Sequence, residues 1–92
     1  MTKSELIKQL TEKFPGFYLK DMREIVDVVF DEISAGLVEG NRVELRGFGA
    51  FSIRRRKARM ARNPKTNQPV ALLERNALYF RAGKELKDQL NS

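Results

Sequence analysis

Two hydrophobic periods divide the chain. Leu6, Ile7, Leu10 and Phe14 recur at helical spacing behind Thr2-Lys3-Ser4-Glu5, and Pro15-Gly16 stops the run. The Thr-x-x-Glu spacing predicts a capping box in which the Thr2 hydroxyl and the Glu5 carboxylate satisfy each other's free amides. A second helix is predicted from about Lys20-Asp21. Its apolar positions Met22, Ile25, Val26, Val29, Phe30, Ile33 and Leu37, widened by Val28, form a broad stripe, and Gly40 suits the left-handed residue that closes a helix. Residues 1–40 are thus expected to form an antiparallel helical hairpin.

The period then falls to two. Val43 and Leu45 alternate with Arg42, Glu44 and Arg46, which predicts a half-buried strand, and Phe51 and Ile53 resume the alternation. Between them Gly47-Phe48-Gly49 suits a tight turn that points the ring inward. After Ile53 apolar residues nearly vanish through Arg62, and Asn63-Pro64-Lys65-Thr66-Asn67 signals a turn. A returning strand is expected through Val70, Leu72, Leu73, Leu78 and Phe80, and Gly83 opens a short last helix carrying Leu86 and Leu90. There is no internal repeat and no low-complexity tail.

Residues 54–74 hold too few apolar side chains to pack a core, yet they pattern as two strands around a turn, so they are expected to project as an arm. At ~3.3 Å per residue, the ten residues beyond Ile53 reach roughly 30 Å. An isolated hairpin is marginally stable in water, which predicts an arm that is mobile until something binds it. The remaining segments, 1–40 together with 41–53 and 75–92, include a widely apolar helix and Phe48, Phe51 and Phe80. Small domains bury the smallest fraction of their surface, so a second chain is expected to cover these residues in an intertwined dimer. The predicted fold class is α+β: a helical hairpin, a three-stranded antiparallel sheet with a protruding β-ribbon arm, and a short C-terminal helix, all in one domain over 1–92.

Composition narrows the chemistry. The 92 residues contain no Cys and no His, which excludes disulfides, thiolate nucleophiles, cysteine-ligated zinc and the commonest general base. No apolar run is long enough to span a membrane, and Glu5 precedes the first apolar stretch, so no secretory signal is expected and the chain is expected to be cytoplasmic. The formal charge of +6 is unevenly distributed: residues 1–40 carry a net −3 and residues 41–92 a net +9. Between Glu44 and Glu74 there are eight bases and no acid. Such a field attracts a polyanion to one part of the molecule, and the expected partner is nucleic acid.

Alternation along the arm places Arg54 and Arg56 on one face and Arg55, Lys57 and Arg59 on the other. Charged edges that deter aggregation need only a base or two, whereas seven bases fall between residues 54 and 65. Pro64 is either an ordinary turn residue or, on so cationic an arm, an apolar wedge that enters between base pairs. Glu24, Asp27 and Asp31 lie at helical spacing; a solvated acidic face explains them better than a magnesium site. Gly47-Phe48-Gly49 lacks the Lys-Ser/Thr of a phosphate loop. The Phe residues fit packing better than base stacking, and Arg46 is compatible with a merely solvated strand position.

Together, Thr2-Lys3-Ser4-Glu5-Leu6-Ile7, Arg46-Gly47-Phe48-Gly49-Ala50-Phe51, Arg62-Asn63-Pro64-Lys65-Thr66 and Phe80-Arg81-Ala82-Gly83-Lys84-Glu85-Leu86 resemble the bacterial HU/integration host factor family of DNA-bending proteins along essentially the whole chain. The resemblance implies an intertwined dimer whose two arms wrap DNA through the minor groove, with Pro64 intercalating. It further implies arm contacts from Arg54, Arg56, Arg59, Arg62, Asn63 and Lys65, flank contacts from Lys3, Arg81, Lys84 and Lys87, and a dimer core of Phe48, Phe51 and Phe80. Arg42-Val43-Glu44-Leu45-Arg46-Gly47 is similar to the beta subunit of integration host factor, where the matching Glu and Arg take part in site recognition. Leu78 and Ala82 stand where that subunit has prolines, and Asn67 where the family usually has Gly.

The expected function is therefore architectural: bending duplex DNA in the bacterial nucleoid in support of its organisation, recombination and transcription control. No catalysis, cofactor, metal, membrane or small-molecule substrate is expected. The dimer is either a homodimer, HU-like and without sequence preference, or a heterodimer with an alpha-type subunit. An RNA-binding ribosomal-type protein and a carboxylate-dependent nuclease are the rival classes.

Overall fold

The computed structural model describes the whole chain, Met1–Ser92. It divides into two compact units, Met1–Ala35 and Gly36–Ser92.

In the first unit, α1 (Lys3–Lys13) is capped by Thr2, whose Oγ1 accepts the Glu5 N–H at 3.2 Å. Of the expected reciprocal pair, the structure forms this half. The long helix α2 (Leu19–Val38) begins one residue before the predicted start. Ile7 of α1 packs with Met22 and Val26 of α2, and Leu10 closes against them. Lys3 pairs with Asp27, so the start of α1 meets the middle of α2 and the two helices run antiparallel. At the connection, Phe14 and Phe17 stack edge to face with centroids 6.4 Å apart. Their hairpin is a thin layer: these three buried side chains are its whole core, while Ile25, Val28, Val29 and Phe30 on α2 stay about half exposed.

The second unit is built on a sheet of β1 (Val43–Leu45), β2 (Gly49–Arg56) and β5 (Arg75–Ala82) in the order β1-β2-β5, antiparallel throughout. The turn between β1 and β2 is closed by Phe48 N–H donating to the Leu45 carbonyl at 2.9 Å, with Gly47 at φ +86°. Gly49 must lack a side chain for a different reason. A Cβ there would lie 2.6 Å from the Arg81 carbonyl oxygen and 2.6 Å from the Phe80 ring. That close approach lets β2 pair with β5 from Gly49↔Ala82 onward. Gly83 then caps α3 (Lys84–Leu90).

Beyond the sheet, β3 (Arg59–Arg62) and β4 (Pro69–Leu72) form a second, two-stranded sheet. This corrects the continuous strands expected on each side of the arm, because Lys57-Ala58 and Leu73-Glu74 leave the ladder. The interruption is symmetric. Pairing ends at Arg56↔Arg75 and resumes at Arg59↔Leu72, with two residues skipped on each strand and no slip in register.

Phe48 joins the aromatic cluster of the sheet. Its ring packs against Phe80 at 5.4 Å, and Phe80 packs on Phe51 at 4.7 Å, but Phe48 remains 45% exposed and Phe80 38%. Within one chain the aromatic cluster is formed but not covered.

The Gly49 approach predicts that Gly49→Ala destabilises the chain by roughly 1–3 kcal/mol, because the methyl group meets backbone that cannot move without opening the ladder. Gly16→Ala, which enters open space, is expected to melt no lower than the parent. Thermal melts of the two variants check this contrast.

Candidate nucleic-acid interface

Since side chains alternate across a strand and paired residues share a face, the unbroken register assigns every arm residue to one of two faces. One face carries the pairs Ala50↔Arg81, Ser52↔Tyr79, Arg54↔Ala77, Arg56↔Arg75, Met60↔Ala71 and Arg62↔Pro69. It has five arginines and no acid. The Arg54 guanidinium lies 3.5 Å over the Tyr79 ring, a cation–π contact that fixes it diagonally across the strands.

The opposite face begins apolar, with Phe51↔Phe80 and Ile53↔Leu78, and continues with Arg55↔Asn76, Arg59↔Leu72 and Ala61↔Val70. The arm's single carboxylate also lies here: Arg55 Nε donates to Glu74 Oε1 at 2.7 Å. Arg55 is thereby locally compensated, whereas the arginines across the ribbon are not.

The tip is held by its own polar atoms. Asn63 N–H donates to the Gln68 carbonyl at 2.9 Å, and Asn67 N–H donates to the Asn63 carbonyl at 2.7 Å. Asn63 Oδ1 accepts the Lys65 N–H at 2.9 Å, and Arg62 Nη1 donates to the Asn67 carbonyl at 3.0 Å. Asn67 takes the left-handed conformation, φ +58°, that Asn tolerates better than most residues and that Gly would also supply. Asn63 and Arg62 therefore build the turn, which leaves Pro64 and Lys65 exposed at its apex.

A polar groove at the other end of this unit brings together Arg46, Arg81, Lys84 and Lys87 with Arg42, Glu44 and Asp88. Of the residues expected to contact a partner, only Lys3 lies in the helical unit, where it is paired with Asp27. That pairing engages Asp27, and Glu24, Asp27 and Asp31 do not gather into a cluster fit to hold a metal. Two cations escaped the sequence reading. Arg42 shares the groove and could have been found from its alternation with Glu44 and Arg46. Arg75 stands opposite Arg56, a placement available only by counting outward from the turn at Asn63–Gln68.

The model of the bacterial DNA-binding protein family matches residues 1–91. The chain belongs to the bacterial HU/DNA-binding protein family. Among solved structures, HU of Anabaena cocrystallised with DNA is 33% identical, with a TM-score of 0.85, and the match covers 98% of this chain and 97% of that one. HU from Thermotoga maritima is 27% identical with a TM-score of 0.66, covering 98% of each chain. A point mutant of that protein gives 0.70 at the same identity, covering 98% of this chain and 99% of its own. These HU structures share the α+β fold described above, and the family is a DNA-binding one.

The tip geometry predicts that Asn67→Gly keeps the turn closed, whereas Asn67→Val strains it by roughly 1 kcal/mol. Amide exchange at Asn63, whose N–H bonds across the turn, should stay slow in the first variant and accelerate several-fold in the second.

Proposed function

We propose that this HU-family chain acts as a dimeric architectural protein that bends duplex DNA, with each arm in the minor groove and each Pro64 wedged into one base step. The observation that carries this reading is Pro64 exposed at the apex of a ribbon whose outer part, from Arg54 to Leu73, holds no acid. A Pro ring is rigid and has no amide hydrogen to satisfy. Minor-groove architectural proteins, HU and integration host factor among them, insert such wedges at a cost of a few kcal/mol per unstacked step. Counterion release by the arm and groove cations offsets that cost. The Anabaena HU cocrystallised with DNA supports duplex DNA as the partner.

Burial supports the dimer. Only Ile7, Met22, Val26 and Ala50 are buried apolar residues in the single chain. Phe30 at 46% and Leu78 at 60% exposure are far from the burial such side chains favour. A second copy covers these faces in this reading, and the HU relatives favour a homodimer without strong sequence preference. The similarity of Arg42–Gly47 to the integration host factor beta subunit favours an alpha-type partner and a preferred site instead. The mass of the purified chain at low concentration separates these readings: a stable dimer supports self-association, and an aggregating monomer supports the missing partner. The roles that follow are nucleoid organisation, recombination and transcription control, exercised through DNA shape.

Pro64→Ala is expected to reduce the bend measured by fluorescence transfer on an end-labelled duplex, with most non-specific affinity retained. An unchanged bend removes the wedge from the mechanism.

A further inference from the structure

The ladder gap in the arm leaves the amides of Lys57, Ala58, Leu73 and Glu74 outside both sheets, and beside it Arg56, Lys57, Ala58, Arg59, Arg75 and Ala77 line an open cleft. Four of these six are cations and none is an acid. Arg56 and Arg75 are direct cross-strand partners on the acid-free face. Like charges placed directly opposite destabilise a ribbon, and the arm has little apolar contact with which to offset the repulsion. The one nearby carboxylate, Glu74, is engaged by Arg55 on the other face. An arrangement that disfavours the free protein is relieved by an anion between the two guanidinium groups, which present forked donors suited to phosphate oxygens.

We propose that this gap is a phosphate seat, in which Arg75 and Arg56, flanked by Lys57 and Arg59, clamp a backbone phosphate of the bound duplex. The proposal rests on the DNA-binding reading above and adds to it a residue, Arg75, and a place on the arm where the backbone is held between the tip and the three-stranded sheet.

The test measures binding of a short fluorescein-labelled duplex across about 50–200 mM salt, the range over which phosphate contacts dominate the change in affinity. In a homodimer Arg75→Ala removes one phosphate contact from each arm, and is expected to lower the log–log slope by about 1.8 and to weaken binding roughly sixtyfold at 0.1 M salt. Its melting temperature is expected to equal or exceed the parent's, since a like-charge pair is removed, and this separates contact from structural support. Arg75→Lys keeps the slope and loses only part of the affinity, because the charge remains while the fork is gone. Lys20→Ala, which removes the same charge from an exposed position of α2, leaves the slope unchanged. A parent chain that fails to bind the duplex, or binds it without salt dependence, overturns the DNA-binding reading itself. A salt-dependent parent with an unchanged slope in Arg75→Ala, or with equal losses in Arg75→Ala and Lys20→Ala, overturns the seat alone.

Discussion

The antiparallel register between β2 and β5, carried without a slip across Lys57-Ala58 and Leu73-Glu74 into β3 and β4, is the constraint on which the arm's chemistry depends. A shift by one residue in a two-stranded ribbon sends every side chain of a strand to the opposite face. Here it would break up the Phe51–Phe80 stack and set Ile53 among the arginines. Two features pin the register. At the sheet end, the bare α-carbon of Gly49 admits Phe80 and the Arg81 carbonyl, and at the tip Asn63 closes on Gln68 with Asn67 in the left-handed region. Between them the separation of an acid-free face from a compensated one follows from counting.

Much of this was legible in the sequence because it was written locally. Thr2 announces its helix by a hydroxyl at the capping position, Gly40 closes α2 at φ +88°, and Pro64-Lys65-Thr66-Asn67 names its own turn. The interruption of the arm was not legible. Lys57, Ala58, Leu73 and Glu74 include no Gly or Pro, so no turn-forming residue marks the break. It begins where the ribbon has left the lateral support of β1 and just past the like-charged pair Arg56↔Arg75, and both are facts of pairing rather than of composition. For the same reason the sequence showed how many cations the arm carries but not which are spoken for. Arg55 with Glu74, and Lys3 with Asp27, become distinct from their neighbours only in three dimensions.

The distribution of apolar residues obeys a related limit. In the helical unit Ile7, Met22 and Val26 suffice to join two helices, and the rest of the α2 stripe has no counterpart in its own unit. In the second unit the Phe48, Phe51 and Phe80 rings touch one another yet stay part-exposed. A stripe of this width on an isolated small domain is expected only where another surface completes it. The sequence predicted the stripe correctly because periodicity is local. How far Phe48 is covered depends on what lies across from it, which periodicity does not give.

Stability and binding are opposed within the arm. The pair Arg56↔Arg75 weakens the free ribbon, and an outer ladder of only four residue pairs, Arg59↔Leu72 to Arg62↔Pro69, has no third strand to share the load. A more stable arm would place an acid opposite one of those arginines, as Glu74 lies beside Arg55, and would lose a free cation in doing so. The acid-free face is thus better suited to an occupied state than to an empty one. A polyanion seated on this face would offset the repulsion between the paired arginines. Salt screens the repulsion within the ribbon and its attraction for an anion alike, so the two weaken together as ionic strength rises.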